Sequence, residues 1–441
     1  MNKKKNVFIT KTSQSKFTFR KKSKKKTNFA DNYCMSTPNF TQNIKAKKNT
    51  AGFRIVNVLS KLILKFFRKS GKKFKFSMYE EIWEQPEIIK ELADRYLPVN
   101  KPVQNVCLEM PAQEIKNLSK IYITASGSSR NVGNIAKYVI EAIAKIPVEV
   151  DFASEFAHRD TILTGNDFVI AISQSGKTAD TFAALESAKH KGAHTLALTN
   201  NTDSKIHNLA ESKMTVGAGI EKSIAATKSF TAQLLNLYAL ALFLGEQRKT
   251  ITAQRAKEVK LELHNLIYKI EKLLRNDKNI EKIANKIKES KNLVILGRGA
   301  NFAAAQEGAL KIKETSYIDA NGYPTGEFLH GHMAVLDENI PVISIIVHNK
   351  ANDINYNLAV KNTEEIKYKL NPGLIIIKNQ KDKQIETLFS SAGFINIPEC
   401  DEIVSPMLTV ITLQILAVKI ADLLGRDVDH PRGLSKAVTA E

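Results

Sequence analysis

The sequence predicts an α/β protein made of two copies of one unit, each a parallel β-sheet covered by helices. Three observations predict it. Short apolar runs alternate with helical stretches, as parallel strands buried on both faces require. The alternation halts at a charged helical stretch and then starts again. A shift of 172 residues lays Gly127 on Gly299 and Ile140 on Ile312, and places Ser154, Glu155, Phe156, Ala157 and His158 over Gly326, Glu327, Phe328, Leu329 and His330. A register held that long marks an internal repeat.

The elements follow in order. Residues 1–77 read as a basic, low-complexity extension, in which 22 Lys and Arg stand against one acid, Asp31. The chain of 441 residues has a net charge of +20, yet residues 78–441 hold 43 basic and 44 acidic residues. The body is therefore neutral, and no nucleic-acid partner is expected. Ile55, Leu59, Leu62 and Phe66 fall at helical steps within the extension. A targeting segment, a surface-binding basic helix and a stretch upstream of the working protein all fit it. The abrupt change of composition favours the last and marks Met78 as a functional start.

A helical lead-in over 78–112 presents Ile82, Ile89 and Leu92. The first sheet domain spans 113–250. Its strands are expected at 121–124, 148–152, 168–172 and 195–199, with a helix over 131–144. A helical connector over 251–290 carries Leu263, Leu266, Ile267 and Ile270 as its apolar stripe. The second sheet domain, 291–425, opens with a strand at 294–296, and 426–441 form a tail. Two uncharged stretches, 229–245 and 404–418, fall short of a bilayer span, so both read as buried core helices and no membrane span is expected. Cys34, Cys107 and Cys400 are widely spaced, form no metal-ligand pattern and fit a reducing, cytoplasmic compartment.

Three stretches carry chemistry. The turn Ser126, Gly127, Ser128 and Ser129 follows the first strand, and Ser173, Gln174, Ser175, Gly176, Lys177 and Thr178 follow the third. Hydroxyls and free N–H groups at a helix N-terminus, beyond the carboxyl end of a parallel strand, suit a small phosphorylated ligand. Helix capping alone would account for either loop taken singly. The third stretch, 307–332, places Glu307, Leu310, Lys311 and Glu314 on one helical face. His330 follows in a segment read as a loop from its turn residues Asn321, Gly322 and Pro324. A carboxylate, a lysine and a histidine can move a proton between neighbouring carbons. An exposed Glu–Lys ladder before a solvated loop would show the same residues, so this stretch alone leaves both readings open. Residues 171–178 fit a relaxed P-loop pattern, but Ala171 and Ile172 continue the strand and leave too short a turn to wrap two phosphates.

Together with 81–86 (EIWEQP), 221–233 (EKSIAATKSFTAQ) and 429–441 (DHPRGLSKAVTAE), these motifs resemble the SIS (sugar isomerase) family. They closely resemble the isomerase half of the glucosamine-6-phosphate synthases, and the similarity runs from Met78 to Glu441. The resemblance implies two tandem flavodoxin-like SIS domains, a sugar-phosphate ligand and no cofactor or metal. It implies that Ser128, Ser173, Gln174, Ser175 and Thr178 bind the phosphorylated sugar, with Gly127, Ser129, Ile224, Arg432 and Ser435 in the same site. By the same resemblance Glu314 shuttles a proton between C1 and C2 with Lys311 beside it. His330, from this chain or a neighbouring subunit, opens the sugar ring, and Lys436 meets the open-chain carbonyl. A lysine attacking a carbonyl must lose its proton, which a nearby cation favours, and Arg432 is the expected cation.

The chain departs from the family's usual residues at Lys177, Ala226, Gly433 and Ser435. Nothing in its sequence corresponds to the family's glutaminase domain with its N-terminal cysteine. The expected reaction therefore interconverts glucosamine 6-phosphate with fructose 6-phosphate plus ammonia, in a homodimer with shared active sites. The alternatives are the isomerase subunit of a split synthase, fed by a separate glutaminase, and a non-catalytic sugar-phosphate sensor.

Overall fold

The computed structural model describes residues 74–347, 353–380 and 382–439. Of the basic extension only 74–77 fall among them, so Ile55, Leu59, Leu62 and Phe66 lie outside the described residues. The chain enters through α1 (Ser77–Tyr96) and α2 (Ala112–Asn117). The first unit follows as β1 (Lys120–Ala125), α3 (Gly127–Ala144), β2 (Val148–Phe152), α4 (Ala153–His158), β3 (Asp167–Ser173), α5 (Ala179–His190), β4 (His194–Thr199), α6 (Lys205–Leu209), β5 (Ser212–Thr215) and α7 (Lys228–Arg248). Next come α8 (Ala253–Arg275) and α9 (Lys278–Ile287). The second unit is β6 (Asn292–Gly297), α10 (Ala300–Ser316), β7 (Asp319–Pro324), β8 (Val342–Ile346), α11 (Asp353–Leu370), β9 (Leu374–Asn379), α12 (Lys383–Leu388), β10 (Gly393–Ile397) and α13 (Ser405–Leu423).

Both sheets are parallel and share one topology. Their orders, β2-β1-β3-β4-β5 and β7-β6-β8-β9-β10, superpose term by term, so the repeat read in the sequence is a repeat of fold. This is the flavodoxin-like order, and its topological switch point lies between the first and third strands. The helices between the sheets join in one continuous core, in which Ile140 on α3, Leu237 on α7, Ile312 on α10 and Ile411 on α13 are fully buried. Separate smaller clusters around Phe156 and Phe328 cover outer faces.

Helix α13 shows why such a segment is core. The stretch Glu402–Leu423 is long and apolar enough to cross a membrane, with mean hydropathy 1.9, but 89% of its most apolar window is buried inside the fold. Its polar residues meet buried polar partners: Thr409 bonds Asn301 at 3.1 Å, and Gln414 accepts from Gln85 at 3.0 Å. Lipid offers no such partners.

One expectation needs correcting. Asn321, Gly322 and Pro324 form no loop but the edge strand β7, paired among the described residues with β6 alone. At an edge the missing N–H of Pro324 is tolerated. Gly322 admits the backbone of α10, since a Cβ there would stand 2.7 Å from the Gln306 nitrogen. The helical connector consists of α8 and α9, which meet around Asn276 and Asp277. The described contacts also extend ahead of Met78. Phe74 packs edge-on against Tyr79, Lys75 pairs with Asp422, and α1 starts at Ser77.

Candidate active site

The two serine loops leave neighbouring strands β1 and β3 at the switch point of the first sheet. Gly127 begins α3 with φ +55°, a left-handed conformation that glycine adopts without strain. Gly176 has φ +67°, and a Cβ there would sit 2.0 Å from the Ser204 hydroxyl oxygen. Ser173 Oγ accepts from the Gly176 N–H at 3.0 Å and bonds Thr178 Oγ1 at 3.0 Å. Ser175 Oγ accepts from the Lys177 N–H at 3.1 Å. This folds the second loop into a tight turn at the head of α5, facing the head of α3. The heads of two helices thus bring their positive dipole ends to one cleft.

The second unit contributes through α10, which packs beside α3. Its face carries Glu307 and Lys311, both fully buried, and Glu314, half-buried. Glu307 accepts from Asn131 Nδ2 of α3 at 2.9 Å, so this contact ties the two units together. Lys311 Nζ donates to Glu314 and lies 3.6 Å from Glu307 Oε1. Burial pushes the Glu307 carboxyl up to about 7, against the pull of Lys311 and Asn131. Burial would lower the Lys311 ammonium, but the attraction of Glu314 and Glu307 outweighs it and holds the pKa above its ordinary value. The helical face is thus a buried carboxyl–ammonium–carboxylate row, of which Lys311 and Glu314 line the cleft.

The chain end closes the site. Asp429 accepts from the Ser77 and Met78 N–H groups at 2.7 and 2.8 Å, capping α1, and its carbonyl accepts from the Ile224 N–H at 3.1 Å. Farther on, Thr439 bridges to Thr178, and the Val438 carbonyl accepts from the Ala179 N–H at 3.3 Å. Between these anchors Lys436 points inward. Its Nζ donates to Glu221 Oε2 and to the Ser223 carbonyl, each at 2.6 Å. Glu221 is fully buried and also accepts from the Thr227 and Ser229 N–H groups at the head of α7. Burial would raise its pKa, but Lys436 and these N–H groups outweigh burial and hold the carboxyl below its ordinary value.

A cavity of about 350 Å³ lies between the loops, α10 and the tail. Every expected site residue lines it except His330 and Arg432. His330 is exposed after the short turn Glu327–Leu329, outside the cavity. Arg432 stacks on the Tyr317 ring at 4.2 Å, also outside. The expectation of a cation beside Lys436 is therefore corrected: its neighbour is the Glu221 carboxylate. Sequence reasoning gave no role to Glu221 or Asn131. The signal for Glu221 was an acid placed just ahead of the uncharged stretch that became α7.

The SIS domain model matches residues 114–243 and 286–421. The chain belongs to the SIS domain family. Among curated SIS relatives, it is 41% identical over 369 residues to the glutamine–fructose-6-phosphate aminotransferase (isomerizing) of Chlorobaculum tepidum, which covers 83% of this chain and 59% of that protein. The corresponding protein of Clostridium acetobutylicum is 38% identical over 364 residues, covering 82% and 59%. The chain thus spans about 59% of the length of these relatives. Among solved structures, the C-terminal domain of glucosamine-fructose-6-phosphate aminotransferase from Francisella tularensis matches with TM-score 0.76 and 30% identity, over 82% of this chain and 99% of that one. The chain is homologous to the isomerase part of these aminotransferases.

Proposed function

We propose that this SIS protein is a sugar-phosphate aldose–ketose isomerase that interconverts glucosamine 6-phosphate with fructose 6-phosphate plus ammonia. One observation carries the reading: an anion cradle, the Glu314 carboxylate and the Lys436 amine face one cavity. The serine loops hold the phosphate and fix the sugar's far end. Glu314 takes a proton from one of the carbons C1 and C2 and returns it to the other, acting as base and then acid. Lys311 holds that carboxylate in place and balances its charge. Lys436 meets the open-chain carbonyl at C2.

His330 lies outside its own cavity, which supports a homodimer in which each subunit lends His330 to its neighbour's site for ring opening. Mixing His330→Ala and Glu314→Gln subunits tests this, because hybrid dimers regain one complete site in two and about a quarter of all sites should work. A second reading is favoured by the 59% coverage: the chain would be an isomerase subunit supplied with ammonia by a separate glutaminase. In either reading we place the chain in the cytoplasm. The deciding experiment incubates the purified chain with fructose 6-phosphate and either ammonium or glutamine, and analyses sugars, ammonia and glutamate. Ammonium-dependent glucosamine 6-phosphate formation is expected. Sugar isomerisation with no ammonia chemistry would leave a plain isomerase, and no turnover of any sugar phosphate would leave a sensor.

A further inference from the structure

The Lys436 ammonium occupies a cradle built for an –NH3⁺ group. Glu221 Oε2 and the Ser223 carbonyl each accept from Nζ at 2.6 Å, and neither acceptor is free to turn away. Glu221 is pinned by the Thr227 N–H at 2.9 Å, the Ser229 N–H at 3.0 Å and the Ser229 hydroxyl at 2.7 Å. Ser223 is pinned from below, where its hydroxyl donates to the buried Glu81 at 2.5 Å and the adjoining Lys222 N–H donates to the same carboxylate. Lys436, in contrast, sits on an exposed tail and is itself only partly buried. When its nitrogen moves to a sugar carbonyl, the fixed acceptors remain, with a buried negative charge that must be neutralised.

We propose that this cradle is a subsite for ammonium, filled by Lys436 at rest and by the free cosubstrate during turnover. This rests on the function proposed above and assigns its nitrogen a place. The cradle lines the sugar cavity through Glu221, so an ammonium held there opens onto the sugar. The step balances as ketone plus NH4⁺ giving iminium (C=NH2⁺) plus water. Nitrogen bonds to C2, the carbonyl oxygen leaves as water, and two ammonium protons leave with it. In the reverse direction the cradle receives the departing nitrogen as ammonium.

Thallium(I), an ammonium-sized cation, provides a probe independent of activity. Soaked into crystals of the Lys436→Ala protein it should give an anomalous peak between Glu221 Oε2 and the Ser223 carbonyl, and none there in wild type. In solution, Glu221→Gln should raise the ammonium KM tenfold or more at saturating fructose 6-phosphate, with the sugar KM changing far less. Absence of the thallium peak in Lys436→Ala would overturn the proposal. So would an unchanged ammonium KM in a folded Glu221→Gln protein. If wild type consumes no ammonium, the proposed reaction is what fails, and the thallium peak alone decides the subsite.

Discussion

Glu307→Gln isolates the electrostatics of the buried row on α10. Glu307 is fully buried, and burial pushes its carboxyl from 4.5 up to about 7. The folded chain therefore holds this proton to about pH 7, whereas the unfolded chain releases it above pH 4.5. Between those values the folded state binds more protons, so stability falls as pH rises. The contribution is fully present below pH 4.5 and lost by about pH 7. At about 1.4 kcal/mol per pH unit the gap corresponds to roughly 3 kcal/mol. Glutamine keeps the shape and an oxygen for Asn131 Nδ2 but cannot titrate. Urea unfolding of both proteins from pH 4.5 to 8 is the assay, read as wild type minus variant. The difference should swing by roughly 3 kcal/mol against wild type across that window. A flat difference, or one that favours wild type as pH rises, would refute the placement of a high-pKa carboxyl at this position.

Glu314→Gln should keep sugar-phosphate binding and lose exchange of solvent deuterium at C1 or C2 of fructose 6-phosphate, since the amide cannot accept the proton. Exchange at the wild-type rate would remove Glu314 from the reaction. Lys436→Ala should abolish ammonia release from glucosamine 6-phosphate while leaving the affinity for the phosphate group, measured calorimetrically, within a fewfold of wild type. Asp429→Ala removes the cap of α1 and should lower unfolding free energy by about 1–2 kcal/mol, measured by urea titration. A chain shortened to begin at Met78 should be less stable than one beginning at Phe74 by roughly 1–2 kcal/mol, because Phe74 packs on Tyr79 and the Ser77 N–H bonds Asp429. Equal midpoints would show that residues 74–77 add nothing to the stability of the fold.

Strong local patterns were legible in the sequence. The strands β1, β3, β4 and β6 are largely apolar runs, β2 alternates apolar and acidic residues, and the repeat between Gly127 and Gly299 carries through to identical strand orders. The spacing of Glu307, Lys311 and Glu314 alone placed them on one helical face. β7 was not legible, because its Asn, Gly and Pro are turn residues by propensity. Only pairing with β6 and the close approach of α10 make that stretch a strand.

The sequence by itself determined two parallel α/β units, two serine-rich turns at helix N-termini and a helical face carrying Glu307, Lys311 and Glu314, because each depends on residues within one turn or one strand-helix step. Only the tertiary structure decided what these groups meet. It alone tells a buried ion row from an exposed Glu–Lys ladder, since periodicity is the same in both and burial comes from α3 across the interface. It sets Lys436 against Glu221, 215 residues away, rather than against Arg432 four positions before it. It also ties the first turn of α1 to Asp429 in the tail, so that the two ends of the described chain hold one site. Sequence spacing sets which side chains share a face; packing sets the dielectric and the partner, and those govern charge and chemistry.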